Sequence, residues 1–292
     1  MAKKKSKPEK GSYREVIGEI DLLDFAREHY SRYGRSVLED RAFPDFRDGM
    51  NPVNRRTLWS AYSLGIRSNS KFVKSARIVG DVLGRYHPHS DQAAYGAMVK
   101  MTNVNGVVSN IPIGLFEGEG NWGSLSNSAA AAMRYTEARL SKFSDEVLFN
   151  KFYMPVVRMI PNFDSSTVEP LILPALLPLV LLNGRFGIAP GATTNIPKLE
   201  PDGVFDVLRA AFKGEELTPK FLAKTLRLTS TFGGAEDESK ENMRSESRRE
   251  IFTSVRGSTN IVSPYEYDEK KRTMVFDGFA VDSIPPVIAK LI

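Results

Sequence analysis

Pro88 stands in the middle of Tyr86-His-Pro-His-Ser-Asp91, between two short segments that both carry helical periodicity. A proline cannot sit inside a helix without losing a backbone hydrogen bond and clashing with the preceding turn. The chain must therefore break there. Helices are expected near Ser75–Leu83 and Gln92–Met101, the second with Ala94, Ala97, Met98 and Met101 on one face. Helix, tight break and second helix is the outline of a helix-turn-helix unit.

Upstream, Leu22, Ala26, Tyr30, Tyr33 and Val37 recur at three- and four-residue steps, which predicts an amphipathic helix over about Asp21–Glu39. Ala42–Met50 is punctuated by Pro44 and Gly49 and reads as a loop. Asn51-Pro52 starts the next helix, with Asn as cap and Pro in the first turn. That helix carries Arg55, Arg56, Leu58, Trp59 and Tyr62, and Gly65 can close it. Downstream come a Gly-rich stretch, Glu117–Ser124, an Ala run, and a segment Glu137–Leu148 that reads as helix. From about Met154 prolines, apolar runs and Gly clusters predict strands and loops, with a helix near Val204–Phe212. Gly233–Arg249 reads as charged and flexible, and Ile251–Arg256, Ser258–Val262 and Thr273–Phe276 as a β-like close.

Composition narrows the function classes. With no cysteine among 292 residues, disulfides, thiolate metal sites and a Cys nucleophile are excluded, and a reducing compartment fits. The longest apolar stretch, around Leu171–Leu182, contains Pro174 and Pro178 and is too short to span a bilayer. The Lys-rich first ten residues lack the apolar core of a signal peptide, so no secretion and no membrane association are expected. They read as a solvated tail, a DNA-clinging arm or a localisation signal being the alternatives. A net charge of +5 supports a polyanionic partner only weakly; placement of the charges matters more.

That placement is informative. Two of the three histidines, His87 and His89, flank Pro88 at a helix start, beside Arg85 and Lys100. Helix N-termini receive phosphates through free N–H groups and the macrodipole. A plain pair of helix-break residues is the alternative. Arg41, Arg47, Arg55, Arg56, Arg77 and Arg85 lie on the surrounding segments, and Arg134 precedes Tyr135. A phenol with a reference pKa of about 10 needs help to act as a nucleophile. Neighbouring guanidiniums stabilise both the phenolate and a phosphorane-like transition state.

Taken together and in order, these fragments resemble the A subunits of DNA gyrase and topoisomerase IV. The resemblance is carried by Ala42-Phe-Pro-Asp-Phe-Arg-Asp-Gly-Met-Asn-Pro-Val-Asn-Arg-Arg56, Ser75-Ala-Arg-Ile-Val-Gly-Asp-Val-Leu-Gly-Arg-Tyr-His-Pro-His89, Glu119-Gly-Asn-Trp-Gly-Ser124, Ala130-Ala-Ala-Met-Arg-Tyr-Thr-Glu137 and Asn183-Gly-Arg-Phe-Gly-Ile-Ala-Pro-Gly-Ala-Thr-Thr-Asn-Ile-Pro197. It implies an α+β chain: a tail over 1–20, a winged-helix DNA-cleavage domain over 21–161, and the N-terminal part of an α/β tower domain over 162–292. It implies Tyr135 as the nucleophile that links to a 5'-phosphate, Arg41 and Arg134 as charge neutralisers, and His89 as a phosphate or proton contact. Arg47, Arg55, Arg56, Lys74, Arg77, His87 and Ser90 are the implied DNA contacts. Ile188 corresponds to a side chain that wedges between base pairs and kinks the duplex, as apolar wedges do; strand core is its alternative reading.

The resemblance also implies double-stranded DNA as partner, a homodimer within a heterotetramer, and a gyrase B-like ATPase/TOPRIM subunit that binds ATP and Mg²⁺. No phosphate-binding Gly-x-x-x-x-Gly-Lys-[Ser/Thr] loop and no Asp-x-Asp cluster occurs in this chain, so no metal ligand is assigned here. The chain is expected to end inside the tower, without an exit gate, and to work in the cytoplasm of a bacterium or an infected host. It departs from the family at Asn51 and Asn54, where Lys and His are usual, and in reading His87-Pro-His-Ser-Asp-Gln92 for His-Pro-His-Gly-Asp-Ser. These departures fit a divergent branch, a viral one included. Two other functions share part of the pattern: a winged-helix module that binds DNA without cutting, and a tyrosine recombinase, whose His-x-x-Arg signature is missing at His87 and His89.

Overall fold

The computed structural model describes residues 21–103, 113–123, 129–230, 234–236, 241–254 and 256–276. The basic tail, Ser124 and the last sixteen residues of the expected tower lie outside the described residues.

Helix α1 (Leu22–Val37) starts where the Asp21 carboxylate accepts hydrogen bonds from the N–H groups of Leu23 and Asp24. The expected stripe is present, but it faces solvent: Leu22 is 76% exposed, and Tyr30 and Tyr33 are similarly bare. Within α1 only Gly34 is buried. The helix runs on into a π-helical turn, Leu38–Ala42, which carries Arg41.

The core forms around the three helices that follow. Asn51 caps α2 (Pro52–Ser63) by accepting from Asn54 N–H, which gives the unusual Asn51 a structural task. After a two-residue strand β1 (Val73–Lys74) come α3 (Ser75–Arg85) and α4 (Asp91–Met101), broken at Pro88 as the sequence requires. Leu58 and Ala61 of α2, Ile78, Val79 and Val82 of α3, and Ala94, Met98 and Met101 of α4 are all fully buried. Burying a side chain of Val, Leu or Met size contributes about 1.5–3 kcal/mol, so this cluster dominates local stability.

A mixed four-stranded sheet closes the core. Its order is β1, β4 (Glu137–Leu140), β3 (Phe116–Glu119), β2 (Thr102–Asn103), with β2 parallel to β3 and the other pairs antiparallel. This corrects the helix expected over Glu137–Leu148. Glu, Ala, Arg and Leu are good helix formers, but Ala138 and Leu140 alternate with Glu137 and Arg139 and bury one face against the helices. Pairing on both edges overrides a propensity of a few tenths of a kcal/mol per residue. Only residues 142–148 are helical, most of them in the π turn Ser144–Leu148.

Two hairpins continue the chain: β5 (Met159–Pro161) with β6 (Val168–Pro170), and β7 (Arg185–Ala189) with β8 (Ala192–Ile196). Between them lies a short helix, α5 (Leu179–Asn183). The junction expected after Pro161 falls inside the first hairpin. Residues beyond it bond back to the helical unit: Leu173 N–H donates to the Asp48 carboxylate and Ile113 N–H to the Asn183 amide oxygen. Two glycines permit close approaches here. Gly49 has φ +70°, and a Cβ there would stand 2.6 Å from Val180 N; one on Gly187 would stand 2.5 Å from Ala42 O. Strand β7 therefore lies directly against the turn that carries Arg41.

The remainder comprises β9 (Lys198–Leu199), α6 (Pro201–Phe212), α7 (Pro219–Thr225), β10 (Leu228–Thr229), β11 (Ala235–Glu236), α8 (Glu241–Ser254), β12 (Ile261–Val262) and the hairpin β13 (Tyr265–Asp268) with β14 (Thr273–Phe276). Strands β9 to β12 make a second, antiparallel sheet in the order β12, β11, β10, β9. Gly233, 237–240 and 255 lie outside the described residues, and over Glu241–Ser254 helix α8 replaces the flexible segment and the strand expected there. Its Arg248 is buried against Glu236 at 2.6 Å, with both side chains almost fully enclosed. Ile251 and Phe252 pack on the core. Charge density concealed a helix whose apolar face is short. The chain is an α+β protein, and no helix among the described residues is long and apolar enough to cross a membrane.

Candidate active site

Helix α3 organises the site because its two ends hold different groups. At its start, Ser75 N–H donates to Thr136 O and Ala76 N–H to Met133 O, so backbone donors that a helix leaves free are taken by the loop before β4. Side chains reinforce the staple. The Ser75 and Thr136 hydroxyls lie 2.8 Å apart, and the Tyr95 phenol of α4 sits 2.8 Å from the Thr136 hydroxyl while donating to Ala131 O at 2.7 Å. Burial pushes the Tyr95 phenol pKa up, against a smaller opposite effect of Thr136, which keeps the proton in place for donation. Thr136 is fully buried; its neighbour Tyr135 is 62% exposed. The Arg134 guanidinium lies 4.6 Å from the centre of the Tyr135 ring. Lys74 pairs with Glu137 at 2.7 Å on the adjoining strands, and Arg77 is exposed on α3.

The other end of α3 opens into the His87-Pro-His89 turn. His87 is 7% exposed, and its ring meets His89 edge-on at 4.5 Å; His89 and Ser90 face solvent. Arg56 of α2 places one guanidinium nitrogen 2.9 Å from His87 Nδ1 and directs its other two at both oxygens of Glu169, each at 2.7 Å. Burial lowers the His87 pKa to about 4, helped by the positive charge of Arg56 and by His89 and Arg41. Arg55 is occupied too: Nε and Nη2 donate to the fully buried Asp48, and Nη2 also reaches Met50 O. Arg47 forks onto Asp45 at the surface. Arg185 of β7 donates to Gly49 O at 2.7 Å, its pKa lowered to about 10 by burial despite the nearby Asp48 charge. Arg41 is exposed. Ile188, on the strand laid against that turn, is 65% exposed, so it is not strand core here.

The structure thus brings Tyr135, Arg134, Lys74 and Arg77 to one end of α3. It gathers Arg41, Arg55, Arg56, His87, His89 and Ser90 at the other. An eleven-residue helix separates the two groups by roughly 16 Å within one chain.

A sequence model of the family described as the A subunit of DNA gyrase/topoisomerase IV matches residues 41–279, most of the chain. The chain belongs to that family. Among its relatives, the DNA gyrase A subunit of Helicobacter pylori is 44% identical over 192 residues, covering 66% of this chain and 23% of the relative. The DNA topoisomerase 4 A subunit of Staphylococcus epidermidis is 42% identical over 201 residues, 68% of this chain and 24% of the relative. The gyrase A subunit of Dehalogenimonas lykanthroporepellens is 46% identical over 185 residues, 62% of this chain and 22% of the relative. The matched region spans about a quarter of the length of these gyrase and topoisomerase IV proteins.

Several residues that shape this gyrase A-like site escaped sequence reading. Asp48 looked like part of a turn, yet it receives Arg55, Met50 N–H and Leu173 N–H. Glu169 carried a usable signal: a lone carboxylate in the run Thr167-Val-Glu-Pro-Leu-Ile-Leu-Pro174 must either face water or find a cation. Tyr95 and Ser75 gave none, because their partners come from a loop about forty to sixty positions away. Among the described residues, no three His, Cys, Asp or Glu side chains cluster as metal ligands.

Proposed function

We propose that this chain is the DNA-binding and cleaving part of an ATP-dependent type IIA topoisomerase, with Tyr135 as the nucleophile. The observation that carries the reading is the exposed Tyr135 ring under the Arg134 guanidinium, on a loop held by buried hydrogen bonds to α3 and α4. A nucleophile needs reach and a fixed bearing, and this loop supplies both. Tyr135 Oη attacks a backbone phosphorus, the bond to O3' breaks, and the phosphate becomes esterified to Tyr135 at its 5' side. The phenol proton is lost and the departing O3' gains one, so religation is the same step reversed. Arg134 and Arg41 neutralise the added negative charge.

The α3–turn–α4 pair with the small sheet is read as a winged helix that presents His89 and Ser90 to the phosphates. Arg47, Lys74 and Arg77 are read as further phosphate contacts, with Arg55, Arg56 and the buried His87 supporting the contact surface from beneath. Arg55 and Arg56 contribute mainly by holding the site in shape, because their donors and charges are engaged with Asp48 and Glu169. Ile188, exposed beside the Arg41 turn, is read as the wedge that kinks the duplex. Residues after Pro161 are read as the start of the tower. The distance along α3 favours a dimer, in which Tyr135 and Arg134 of one copy face Arg41 and His89 of the other. Mg²⁺ and ATP are assigned to a gyrase B-like partner.

The test is a plasmid cleavage assay with that partner, Mg²⁺ and ATP, stopped in detergent. Wild type should yield protein-linked linear DNA and Tyr135→Phe none, with noncovalent binding retained. A Tyr135→Phe protein that still forms adducts contradicts the assignment. A wild type that binds but never forms adducts would favour a non-cleaving winged-helix module.

A further inference from the structure

Glu169, Arg56 and His87 form a buried chain of three polar side chains contributed by β6, α2 and the turn after α3. The Glu169 side chain is 5% exposed and accepts two parallel hydrogen bonds from Arg56, at 2.7 Å each. The third guanidinium nitrogen of Arg56 is 2.9 Å from His87 Nδ1. Guanidinium offers donors only and keeps its proton in proteins. The nitrogen it faces must therefore be the acceptor.

We infer that Glu169 is a positioning residue that, through the Arg56 fork, locks His87 as the neutral tautomer with its proton on Nε2. The carboxylate fixes the plane of the guanidinium, and the guanidinium fixes which ring nitrogen is bare. An imidazolium would need an N–H at Nδ1, pointed at an N–H that cannot turn away. The groups facing the ring reinforce this: Arg56 from α2, Arg41 from the π turn and His89 across the turn all disfavour a second positive charge. Within the His-Pro-His turn, the inner histidine is then a fixed hydrogen-bond donor through Nε2 and never the cation. The exposed His89 is the ring left to meet a phosphate directly. This last consequence rests on the proposed cleavage function; the tautomer does not.

The experiment is a long-range ¹H–¹⁵N correlation spectrum of the DNA-free full chain, labelled at its three histidines, His29, His87 and His89. Substituting each histidine in turn by Gln assigns the rings. Wild-type His87 should show one bare nitrogen, Nδ1, and one protonated nitrogen, Nε2, unchanged from pH 8 down to about 5. In Glu169→Gln the fork loses an arm. Both His87 nitrogens should then move toward averaged shifts, while burial and the Arg56 charge still hold the titration midpoint below the ordinary 6.5. Arg56→Lys should do the same, because an ammonium cannot bridge both partners in one plane. A wild-type His87 protonated at Nδ1 overturns the inference. So does a folded Glu169→Gln or Arg56→Lys protein whose His87 nitrogen signature matches wild type. Since no DNA is present, loss of the cleavage reading would leave this result standing, and the reverse.

Discussion

The two ends of α3 are built on opposite plans. Around His87 the charges are enclosed and paired: Asp48 with Arg55, Glu169 with Arg56, and an imidazole held against the second guanidinium. Around Tyr135 the reactive side chain stands in solvent, over a loop fastened by backbone bonds and by the Ser75, Tyr95 and Thr136 hydroxyls. The contrast suggests a division of labour. One end is a rigid electrostatic template, and the other is a reactive group on a short tether. Substitutions at the first should register as stability, and at the second as activity.

The largest stability loss should follow from breaking the template at its base. Asp48→Ala removes a buried carboxylate that receives Arg55 and two backbone N–H groups. Removing one partner of a buried pair costs about 3–5 kcal/mol. Urea unfolding should show a loss in that range; a loss below about 1 kcal/mol would mean that the template is not rigid.

Next comes the staple beneath the nucleophile. Tyr95→Phe deletes hydrogen bonds to Ala131 O and the Thr136 hydroxyl, each typically worth about 0.5–1.5 kcal/mol. Stability should fall by about 1–2 kcal/mol, and amide exchange should quicken selectively over the loop from Ala131 to Thr136. Uniform protection across that loop would show that its backbone bonds to α3 suffice.

Much of this contrast was legible in the sequence, but unevenly. The break at Pro88 and the Asn51 cap follow from local rules that need no tertiary partner, whereas Arg134-Tyr135 stood out only through its likeness to the family motif. The pairing of Arg56 did not, because Glu169 lies 113 positions away. Strand β4 was hidden by its helix-forming residues, and only the register with β3 explains it. The bare stripe of α1 shows the converse: periodicity announced a helix correctly, but not that Leu22, Tyr30 and Tyr33 would stay exposed among the described residues. Local chemistry is visible in a string of residues; partnership across the fold is not.

A smaller effect should appear with pH. His87 has a folded pKa of about 4, below its unfolded value of about 6.5. Between those values the unfolded chain binds the extra proton and the folded chain does not, so stability falls as pH drops from about 6.5 to 4. His87→Gln should remove that part of the acid slope in denaturation midpoints measured across the window. An unchanged slope would place the acid sensitivity elsewhere.

Smallest in stability is Ile188→Ala. At 65% exposure the change should stay within about 0.5 kcal/mol. Yet the bend reported by energy transfer between dyes on the ends of a short duplex should shrink. An unaltered bend would remove Ile188 from the wedge role.

The most direct measurement is the identity of the residue joined to DNA. The cleavage complex formed with the gyrase B-like partner, trapped in detergent and digested with nuclease and protease, should yield one modified peptide in the mass spectrum. The expected modification is a nucleotide esterified through its 5' phosphate to Tyr135. A nucleotide on any other residue, or a trapped complex whose Tyr135 peptide is entirely unmodified, would contradict it.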